Sequence, residues 1–276
     1  MASGTVLVTG ASTGIGEATA LHLRELGFEP VAGVRSDEDA ERLARSGLGT
    51  VKLDVTDAEQ IAAVGEELGA GALAGLVNNA GIGVAAPLEF LPLDQLRKQL
   101  EVNLVGQVGV TQALLPALRR GRGRIVNVSS IGGRVALPLL GPYNMSKFAL
   151  EAFSDSLRRE LRGQGVDVIV IQPGSIKTPI WKKGNALADE LAEAITPEGE
   201  RLYGPMIAAV RSETVKIEQA RGLPPRDVAE VIGTALTASR PRARYIIGKE
   251  ARSRAVAARV LPDRVMDRMI GRALGG

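Results

Sequence analysis

The sequence predicts a single doubly wound α/β domain, built on a parallel sheet with helices on both faces. Short β-branched, apolar runs alternate along the chain with longer helical patterns, which is typical of this fold class. Most of the short runs are continuously apolar, as expected for parallel strands that are covered on both faces. The chain has 276 residues, of which 45% are hydrophobic, and this is enough to bury one large core.

Seven strands are expected, joined by right-handed crossovers. They are predicted at residues 5–9, 30–34, 50–53, 75–78, 124–129, 167–171 and 244–247. Helices are predicted between them at residues 16–26, 37–46, 58–68, 93–119 and 143–164. A further helix is expected to start at Pro225, because proline is favoured in the first turn of a helix.

Residues 179–223 interrupt this alternation, because Gly and Pro are scattered there among short helical pieces. A connection of this length is more often functional than a simple link, so we interpret it as a flap over a ligand site. The chain is accordingly divided into a main domain over residues 1–250, which includes the flap, and a C-terminal extension over residues 251–276.

The charge of the chain is unevenly distributed. The net charge is +3, but the segment from Arg240 to the end carries ten Lys and Arg against three Asp and Glu. This segment is therefore at +7 and the remaining chain at −4, which argues against a nucleic-acid partner for the main domain. A helix starting after Pro262 would place Arg264, Arg268 and Arg272 on one face and apolar side chains on another. Such a helix most often packs on its own domain. The alternatives are that it lies on a membrane surface, closes over the ligand pocket or packs on a second subunit.

The composition excludes several classes of site. The chain has no Cys and a single His, His22, so neither disulfides, a cysteine nucleophile, a zinc site nor a Ser/His/Asp triad is expected. We expect no bound metal. The sequence shows no long apolar run and no signal peptide, so a soluble, cytoplasmic protein is expected.

A glycine-rich turn follows the first predicted strand directly. Gly10 permits a tight turn, Gly14 lets the backbone approach a phosphate group, and Gly16 allows the next helix to pack closely on the strand. The N–H groups and dipole of that helix favour an anion. The spacing is G-x-x-x-G-x-G rather than the common G-x-G-x-x-G, and an ordinary connecting loop is the alternative. Because a strand precedes the turn and a helix follows it, we interpret it as a dinucleotide site.

The end of the second strand favours NADP over NAD. An acidic residue here would bind the ribose 2′-hydroxyl of NAD, but the strand ends in Arg35, which suits a 2′-phosphate. Asp37 and Glu38 follow closely and weaken this distinction, so NAD stays open. After the third strand, Asp54 is expected to accept a hydrogen bond from the adenine amino group.

Three further polar groups follow the ends of later strands, where open α/β sheets bind their ligands. Residues 78–81 (NNAG) follow the fourth strand, and Ser129 and Ser130 close the fifth. Tyr143 and Lys147 are four residues apart at the start of the next helix and therefore share one face. Taken singly, each of these residues is more often a turn, a packed ring or a solvated charge. Their joint occurrence after a phosphate loop indicates an active site.

Together these motifs resemble the classical short-chain dehydrogenase/reductase family. The shared features are TGxxxGIG at residues 9–16, NNAG at 78–81, Asn103, Ser130, Tyr143-x-x-x-Lys147 and Pro173-Gly174, within about residues 4–250. The intervening sequence is most similar to the retinol and hydroxysteroid dehydrogenase branch. The resemblance implies a Rossmann-type domain whose flap sets the choice of substrate.

The resemblance also implies the roles of individual residues. Tyr143 would be the acid/base, Ser130 would position the substrate, and Lys147 would support both the tyrosine and the nicotinamide ribose. Asn103 would hold a water that links Lys147 to solvent. The full set expected to bind the dinucleotide is Gly10, Ser12, Thr13, Gly14, Ile15, Gly16, Arg35, Asp54, Val55, Asn79, Ala80, Gly81, Tyr143, Lys147, Pro173, Gly174, Ile176 and Thr178.

The chemistry of these residues is consistent with such a role. Moving a hydride to or from an alcohol carbon requires a proton acceptor or donor at its oxygen. A free Tyr has a pKa near ~10 and is a poor base at neutral pH. A cationic Lys147 one helical turn away would stabilise the phenolate form of Tyr143. The hydroxyl of Ser130 would hold the substrate oxygen beside Tyr143.

The expected function is hydride transfer between a nicotinamide cofactor, with NADP preferred, and an alcohol/carbonyl pair. The alternatives are an NAD-preferring dehydrogenase of the same type and a non-catalytic dinucleotide-binding regulator. The apolar residues of the flap and of the segment before Tyr143 favour a lipophilic substrate such as a steroid, retinoid or long-chain carbonyl compound, but a small core of the flap itself explains them equally well. These residues are Leu137, Leu139, Leu140, Ile180, Trp181, Leu187, Leu191, Ile195, Leu202, Tyr203, Met206 and Ile207. The resemblance further implies a homodimer or homotetramer paired through the helices that carry Asn103 and Tyr143.

Overall fold

A seven-stranded, fully parallel sheet organises the part of the chain that the structure describes. The computed structural model describes residues 3–192, 195–217 and 222–273. The strands are β1 (Thr5–Thr9), β2 (Glu29–Val34), β3 (Gly49–Lys52), β4 (Leu73–Asn78), β5 (Arg124–Val128), β6 (Asp167–Pro173) and β7 (Arg244–Ile247). Their order is β3-β2-β1-β4-β5-β6-β7, so the chain reverses its direction of winding between β1 and β4. The predicted fold class is confirmed, and the predicted strands match within two residues at each end.

Helices cover both faces of this sheet. Those before the flap are α1 (Gly14–Glu25), α2 (Asp37–Arg45), α3 (Ala58–Gly69), α4 (Leu93–Leu100), α5 (Gly106–Gly121) and α6 (Gly141–Glu160). The flap contains α7 (Ile180–Ala192) and α8 (Pro197–Lys216), and α9 (Pro225–Thr237), α10 (Lys249–Val260) and α11 (Asp263–Ala273) follow it.

Successive residues of β1 show why the sheet needs both helical layers. Val6 and Val8 point into one buried core together with side chains of α1, α2 and α9. Leu7 points to the opposite face, into a second core that includes residues of α3, α5 and α6. All three are fully buried. A continuously apolar strand is therefore satisfied only when both of its faces are covered.

One predicted helix contains an irregular turn. The sequence predicts an unbroken helix over residues 93–119, but a π-helical turn over Glu101–Val105 separates α4 from α5. Turns of this kind are rare and often coincide with functional sites. The turn carries Asn103, whose side chain is fully buried.

The flap is more regular than the sequence predicts. Instead of short pieces it contains one helix of 13 residues and one of 20, and Pro205 lies inside the second. The side chain of Thr196 caps that helix by accepting a hydrogen bond from the Gly199 N–H at 3.2 Å. Proline in a helix interior costs about 3 kcal/mol, and the helix nevertheless continues through Pro205.

The C-terminal extension forms two helices. As predicted, a helix starts directly after Pro262, and the carbonyl of this proline accepts hydrogen bonds from the N–H groups of Val265 and Met266. The preceding helix, α10, starts at Lys249, so the predicted domain boundary after residue 250 lies inside it. Within the described ranges, no helix combines the length and apolar character needed to cross a membrane.

Candidate active site

A cavity of about 540 Å³ opens at the carboxyl edge of the sheet, beside the reversal between β1 and β4. Its wall contains Ser130, Tyr143, Lys147 and Asn103. It also contains every residue predicted to bind the dinucleotide except Gly16. The tertiary structure therefore brings together residues that are spread over most of the chain.

The glycine-rich turn between β1 and α1 forms the floor of this cavity. Gly10 and Gly14 have φ angles of 61° and 62°, in the left-handed region where residues with a side chain are strained. The side chain of Thr13, at the start of α1, makes no capping hydrogen bond. The first N–H groups of α1 thus have no side-chain partner from Thr13, an arrangement that suits an anionic group.

Gly16 lies outside the cavity wall, on the first turn of α1. A Cβ atom at this position would collide with the carbonyl oxygen of Gly10 and the side-chain amide of Asn79. The residue therefore serves the close packing of α1 on the turn.

Polar contacts fix the glycine-rich turn to the loop after β4. The hydroxyl of Thr9 accepts hydrogen bonds from the N–H groups of Asn79 and Ala80, each at 3.0 Å. The side-chain amide of Asn79 donates to the carbonyls of Thr9 at 2.9 Å and Gly10 at 3.1 Å. The two loops therefore present their backbones to the cavity as one unit.

At the end of β2, a cation faces the cavity without a partner. Arg35 is exposed in the cavity wall and forms no ion pair with any described residue. Of the carboxylates that follow it, Asp37 pairs with Lys52 at 3.1 Å and Asp39 with Arg42 at 3.1 Å, whereas Glu38 is exposed and forms no ion pair with a described residue.

The loop after β3 supplies Asp54 to the same end of the cavity. Its Oδ1 accepts hydrogen bonds from the N–H of Thr56 at 2.9 Å and from the Thr56 hydroxyl at 2.8 Å. These contacts fix the orientation of the carboxylate.

Ser130, Tyr143 and Lys147 are brought together where β5 meets α6. The Ser130 hydroxyl accepts a hydrogen bond from the Gly132 N–H at 3.0 Å, and Ser130 and Tyr143 both line the cavity. Lys147 Nζ donates to the carbonyl of Val128 at 2.9 Å and lies 5.8 Å from the centroid of the Tyr143 ring. A hydroxyl, a phenol and an amine therefore share one side of the cavity.

Burial dominates the protonation of this group. Desolvation raises the pKa of the Tyr143 phenol, and the nearby Ser130 hydroxyl opposes this rise. Desolvation also lowers the pKa of Lys147 to about 8, and the negative charge of Glu151 opposes that change. At neutral pH the phenol is therefore protonated and the amine largely cationic.

Asn103 is held by the backbone of the loop after β4. Its Oδ1 accepts from the N–H of Ile82 at 2.8 Å, and its Nδ2 donates to the Ile82 carbonyl at 3.0 Å and the Ser146 hydroxyl at 3.1 Å. The residue thus links the π turn to the loop and to α6 beside Lys147. Its predicted role in holding a water stays a prediction.

Three residues of the site were missed by sequence reasoning. Gln99 is fully buried, donates to the Ile82 carbonyl at 2.9 Å and accepts from the Val84 N–H at 2.7 Å. Gly132 lies where a Cβ atom would be 3.2 Å from Tyr143 Cε1 and 3.4 Å from Ser130 Oγ. Glu151 is buried on α6, one turn beyond Lys147. Two sequence features could have indicated the first two of them: Gln99 lies four positions before Asn103, and Gly132 and Gly133 closely follow Ser130.

The flap closes one side of the cavity with apolar side chains. Ile180 and Leu187 of α7 belong to the cavity wall, whereas Leu191, Ile195 and Ile207 surround a separate small cavity of about 40 Å³. Leu202 is exposed, and the Tyr203 hydroxyl donates to Glu89 at 2.8 Å. The side chain of Trp181 lies outside the described residues.

The sequence left open whether the apolar residues of the flap line a substrate pocket or form a small core, and the structure divides them between two cavities. Some of its apolar residues face the large cavity, and others surround a small cavity that they share with main-domain residues such as Phe90 and Leu139.

The cavity fits a nicotinamide dinucleotide. The uncapped start of α1 and the left-handed glycines suit a pyrophosphate, and Arg35 and Asp54 lie at the end of the cavity formed by the loops after β2 and β3. Ser130, Tyr143 and Lys147 lie at the end formed by β5 and α6, where a nicotinamide would meet a substrate.

Comparisons with known proteins agree with this arrangement. Residues 4–188 match the family model described as short chain dehydrogenase. The chain is 40% identical over 258 residues to retinol dehydrogenase 16 of Homo sapiens, covering 90% of this chain and 81% of that protein. It is 35% identical over 275 residues to the NADPH-dependent 3-dehydrocapnine reductase of Ornithobacterium rhinotracheale, covering 95% and 94%.

A solved structure is also similar over almost the full length. It is a short chain dehydrogenase from Burkholderia cenocepacia in complex with NADP, with a TM-score of 0.76 and 26% identity, covering 99% of this chain and 98% of that chain.

Proposed function

This chain belongs to the short-chain dehydrogenase/reductase family of oxidoreductases, and on that premise we propose that it interconverts a lipophilic alcohol and its carbonyl compound with NADP(H) as the preferred cofactor. The observation that carries the proposal is that Ser130, Tyr143 and Lys147 together line the wall of a cavity that fits a dinucleotide, with Lys147 Nζ 5.8 Å from the centroid of the Tyr143 ring. The bound nicotinamide supplies or accepts the hydride.

The protein's own residues handle the proton. When a carbonyl is reduced, negative charge develops on its oxygen and needs a donor. Tyr143 is protonated at neutral pH because burial raises the pKa of its phenol, so it donates that proton to the oxygen. In the reverse direction the phenolate accepts the alcohol proton.

Ser130 and Lys147 support this proton transfer by different means. The hydroxyl of Ser130 lines the same cavity as Tyr143, so a substrate oxygen must lie within reach of both groups. Lys147 is held by the Val128 carbonyl, and its positive charge stabilises the phenolate that remains after Tyr143 has lost its proton.

Two observations support the preference for NADP. Arg35 lies in the cavity wall without an ion pair among the described residues, whereas Asp37 and Asp39 are paired with Lys52 and Arg42. A relative is named as NADPH-dependent. An unpaired guanidinium suits a 2′-phosphate, to which it can donate two hydrogen bonds.

The lipophilic substrate is supported by the flap. Ile180 and Leu187 give the cavity that contains the catalytic residues part of its apolar wall. Two relatives are named as retinol dehydrogenases. An alcohol or ketone on an apolar skeleton would bury that skeleton against the flap while its oxygen reaches Ser130 and Tyr143.

The experiment that tests the proposal is the Tyr143→Phe substitution. It should lower turnover of a lipophilic ketone about 10² to 10⁴-fold, because the proton donor is lost, while NADPH binding persists. Tyr245→Phe is the matched control, since that phenol only accepts a hydrogen bond from the backbone N–H of Arg242. Steady-state rates and NADPH fluorescence titrations measure the two effects.

Two outcomes would contradict the proposal. Undiminished turnover by the Tyr143→Phe variant would reject the mechanism. A wild-type protein that binds NADPH but turns over none of a panel of steroid, retinoid and long-chain carbonyl compounds would favour a non-catalytic dinucleotide-binding regulator instead.

A further inference from the structure

One face of α10 combines positive charge with exposed apolar side chains. The residues at helical spacing on this face are Lys249, Arg252, Ser253, Val256, Arg259 and Val260. All six are exposed, and Val256 and Val260 are 61% and 67% exposed. The opposite side of the helix is anchored in the protein through the buried residues Ala251 and Ala255. We call the six exposed residues the α10 outer face.

The charges of the α10 outer face are available to a partner. It contains three cations and no anion. Lys249 and Arg259 make no ion pair or side-chain hydrogen bond with any described residue, and Arg252 only donates to the Ile246 carbonyl at 3.3 Å. The acidic residue of the same helix, Glu250, is paired with Arg254 on another side. The face therefore attracts an anionic surface.

Helix α11 also carries exposed basic side chains and an apolar face. Its apolar residues Val265, Met266, Met269 and Ile270 share one face, on which Met269 is 51% exposed. Arg264 and Arg272 lie on the other face and form no ion pairs with described residues. Leu274, which the sequence adds to the apolar face, lies outside the described residues.

The combination of charge and aliphatic side chains favours a lipid surface over other occupants. A second copy in a two-fold dimer would set this face against itself and bring like charges together. A nucleic acid would pair with the cations but leave both valines without an apolar contact. An anionic bilayer satisfies both, because phosphate headgroups meet the cations and the valines enter the boundary of the acyl chains.

The position of α10 relates this surface to the active site. Gly174, in the cavity wall, is packed so closely on α10 that a Cβ atom there would lie 3.1 Å from the Cβ of Ala251. The N–H of Gly174 also donates to the carbonyl of Ile247, just before α10, at 2.9 Å. The outer face is therefore carried by the helix that flanks the catalytic end of the cavity.

We infer that the α10 outer face docks the protein reversibly on an anionic membrane surface. The inference rests on charge and exposure and stands without the proposed activity. If the proposed function also holds, docking places the cavity close to the bilayer from which a lipophilic substrate would enter.

Co-sedimentation of the full-length protein with vesicles tests this inference. The probes are vesicles of phosphatidylcholine alone and of phosphatidylcholine with 30% phosphatidylglycerol, on the order of what polybasic binding requires. The wild-type protein should bind the anionic vesicles, bind the neutral ones much more weakly, and dissociate in high salt. The Lys249→Glu/Arg259→Glu variant should bind the anionic vesicles about tenfold or more weakly, because each basic residue near the surface contributes to attraction.

The matched control is Arg45→Glu/Arg162→Glu, which makes the same change in net charge at exposed residues without ion pairs elsewhere in the described chain. It should bind as the wild type does. Circular dichroism and turnover of a water-soluble ketone report whether each variant is folded and active, so loss of docking is separated from loss of the proposed function.

Three results would overturn the inference: no sedimentation of the wild type with anionic vesicles, equal loss in both double variants, or equal binding to neutral vesicles. Equally tight binding of a DNA duplex that Lys249→Glu/Arg259→Glu abolishes would assign the face to nucleic acid instead. Self-association that the same variant abolishes, without vesicle binding, would assign it to a second copy.

Discussion

Arg35 decides the expected cofactor preference at the scale of a single side chain. Its guanidinium is exposed in the cavity wall; of the acidic residues that follow it, Asp37 and Asp39 are held by other cations, and Glu38 forms no ion pair with a described residue. Asp37 could have favoured NAD by binding the ribose 2′-hydroxyl. Because its carboxylate is paired with Lys52, it competes less with Arg35 for the group at the ribose 2′ position.

Arg35→Asp should reverse this preference. We expect kcat/KM for NADPH to fall about 10- to 100-fold, because a charge-assisted hydrogen bond contributes about 1.5–3 kcal/mol, while kcat/KM for NADH is kept or rises. Arg45→Asp, an exposed and unpaired position on α2, is the control. Steady-state kinetics with both cofactors gives the ratio; an unchanged ratio in the Arg35 variant would refute the assignment.

Glu151 sets the charge of Lys147 from within the same helix. Its buried carboxylate opposes the desolvation that lowers the pKa of Lys147 to about 8. It is held by Gln172 at 2.8 Å and by Arg244 at 2.9 Å. A charge in this position keeps the lysine protonated over a wider pH range.

Glu151→Gln should therefore move the alkaline limb of the pH–rate profile to lower pH. Loss of the negative charge lowers the pKa of Lys147 further, so the cation disappears earlier as the pH rises. Asp155→Asn is the control, because Asp155 also binds Arg244, at 2.8 Å, but is not among the charges that shift the pKa of Lys147. Profiles of kcat/KM measure this; equal shifts in both variants would contradict a direct effect of Glu151.

At the scale of elements, close packing at the start of α5 holds the cavity wall. A Cβ atom on Gly106 would collide with the carbonyl of Val55, which belongs to the loop that carries Asp54. The π turn and α5 thus begin directly against the adenosine end of the proposed cofactor site.

Gly106→Ala should lower the free energy of unfolding by about 1–3 kcal/mol, as overpacking of a close contact does, even though Ala is the better helix former. Gly71→Ala is the control, because no heavy atom lies within 4 Å of its Cβ position. Urea denaturation measures both. If Gly106→Ala were as stable as Gly71→Ala, the contact would not be tight.

At the scale of the whole molecule, the long helices present apolar side chains to solvent. Val105 on the π turn, and Met145 and Phe148 on α6, are 50%, 41% and 44% exposed. These are the helices through which a homodimer or homotetramer is expected to pair. Such exposure fits a surface that a second subunit would cover.

Phe148→Glu should therefore shift the assembled protein toward smaller species in sedimentation velocity at micromolar concentration, because a charge would be buried against an apolar surface. Leu202→Glu is the control, at an apolar residue of the flap that is 59% exposed. A wild-type monomer, or the same shift in both variants, would reject this pairing surface.

The residues predicted from the sequence share one property, which is that a local pattern carries each of them. Gly10, Ser130, Tyr143 and Lys147 stand in short motifs at strand ends, and parallel strands necessarily bring such ends to one edge. Gln99 and Glu151 stand in no such motif, because their partners, Ile82 and Arg244, lie 17 and 93 positions away.

The sequence by itself determined the parallel sheet, the succession of strands and helices along the chain, and the polar residues gathered at the carboxyl edge, because each of these follows from hydrophobic period, turn residues and spacing along the chain. Only the tertiary structure decided the π turn at Asn103, the length of the flap helices, the pairing of Asp37 with Lys52 rather than with Arg35, and the cationic α10 outer face. The physical reason is that these features depend on which surfaces meet across the fold, and local propensities are too weak to determine such contacts.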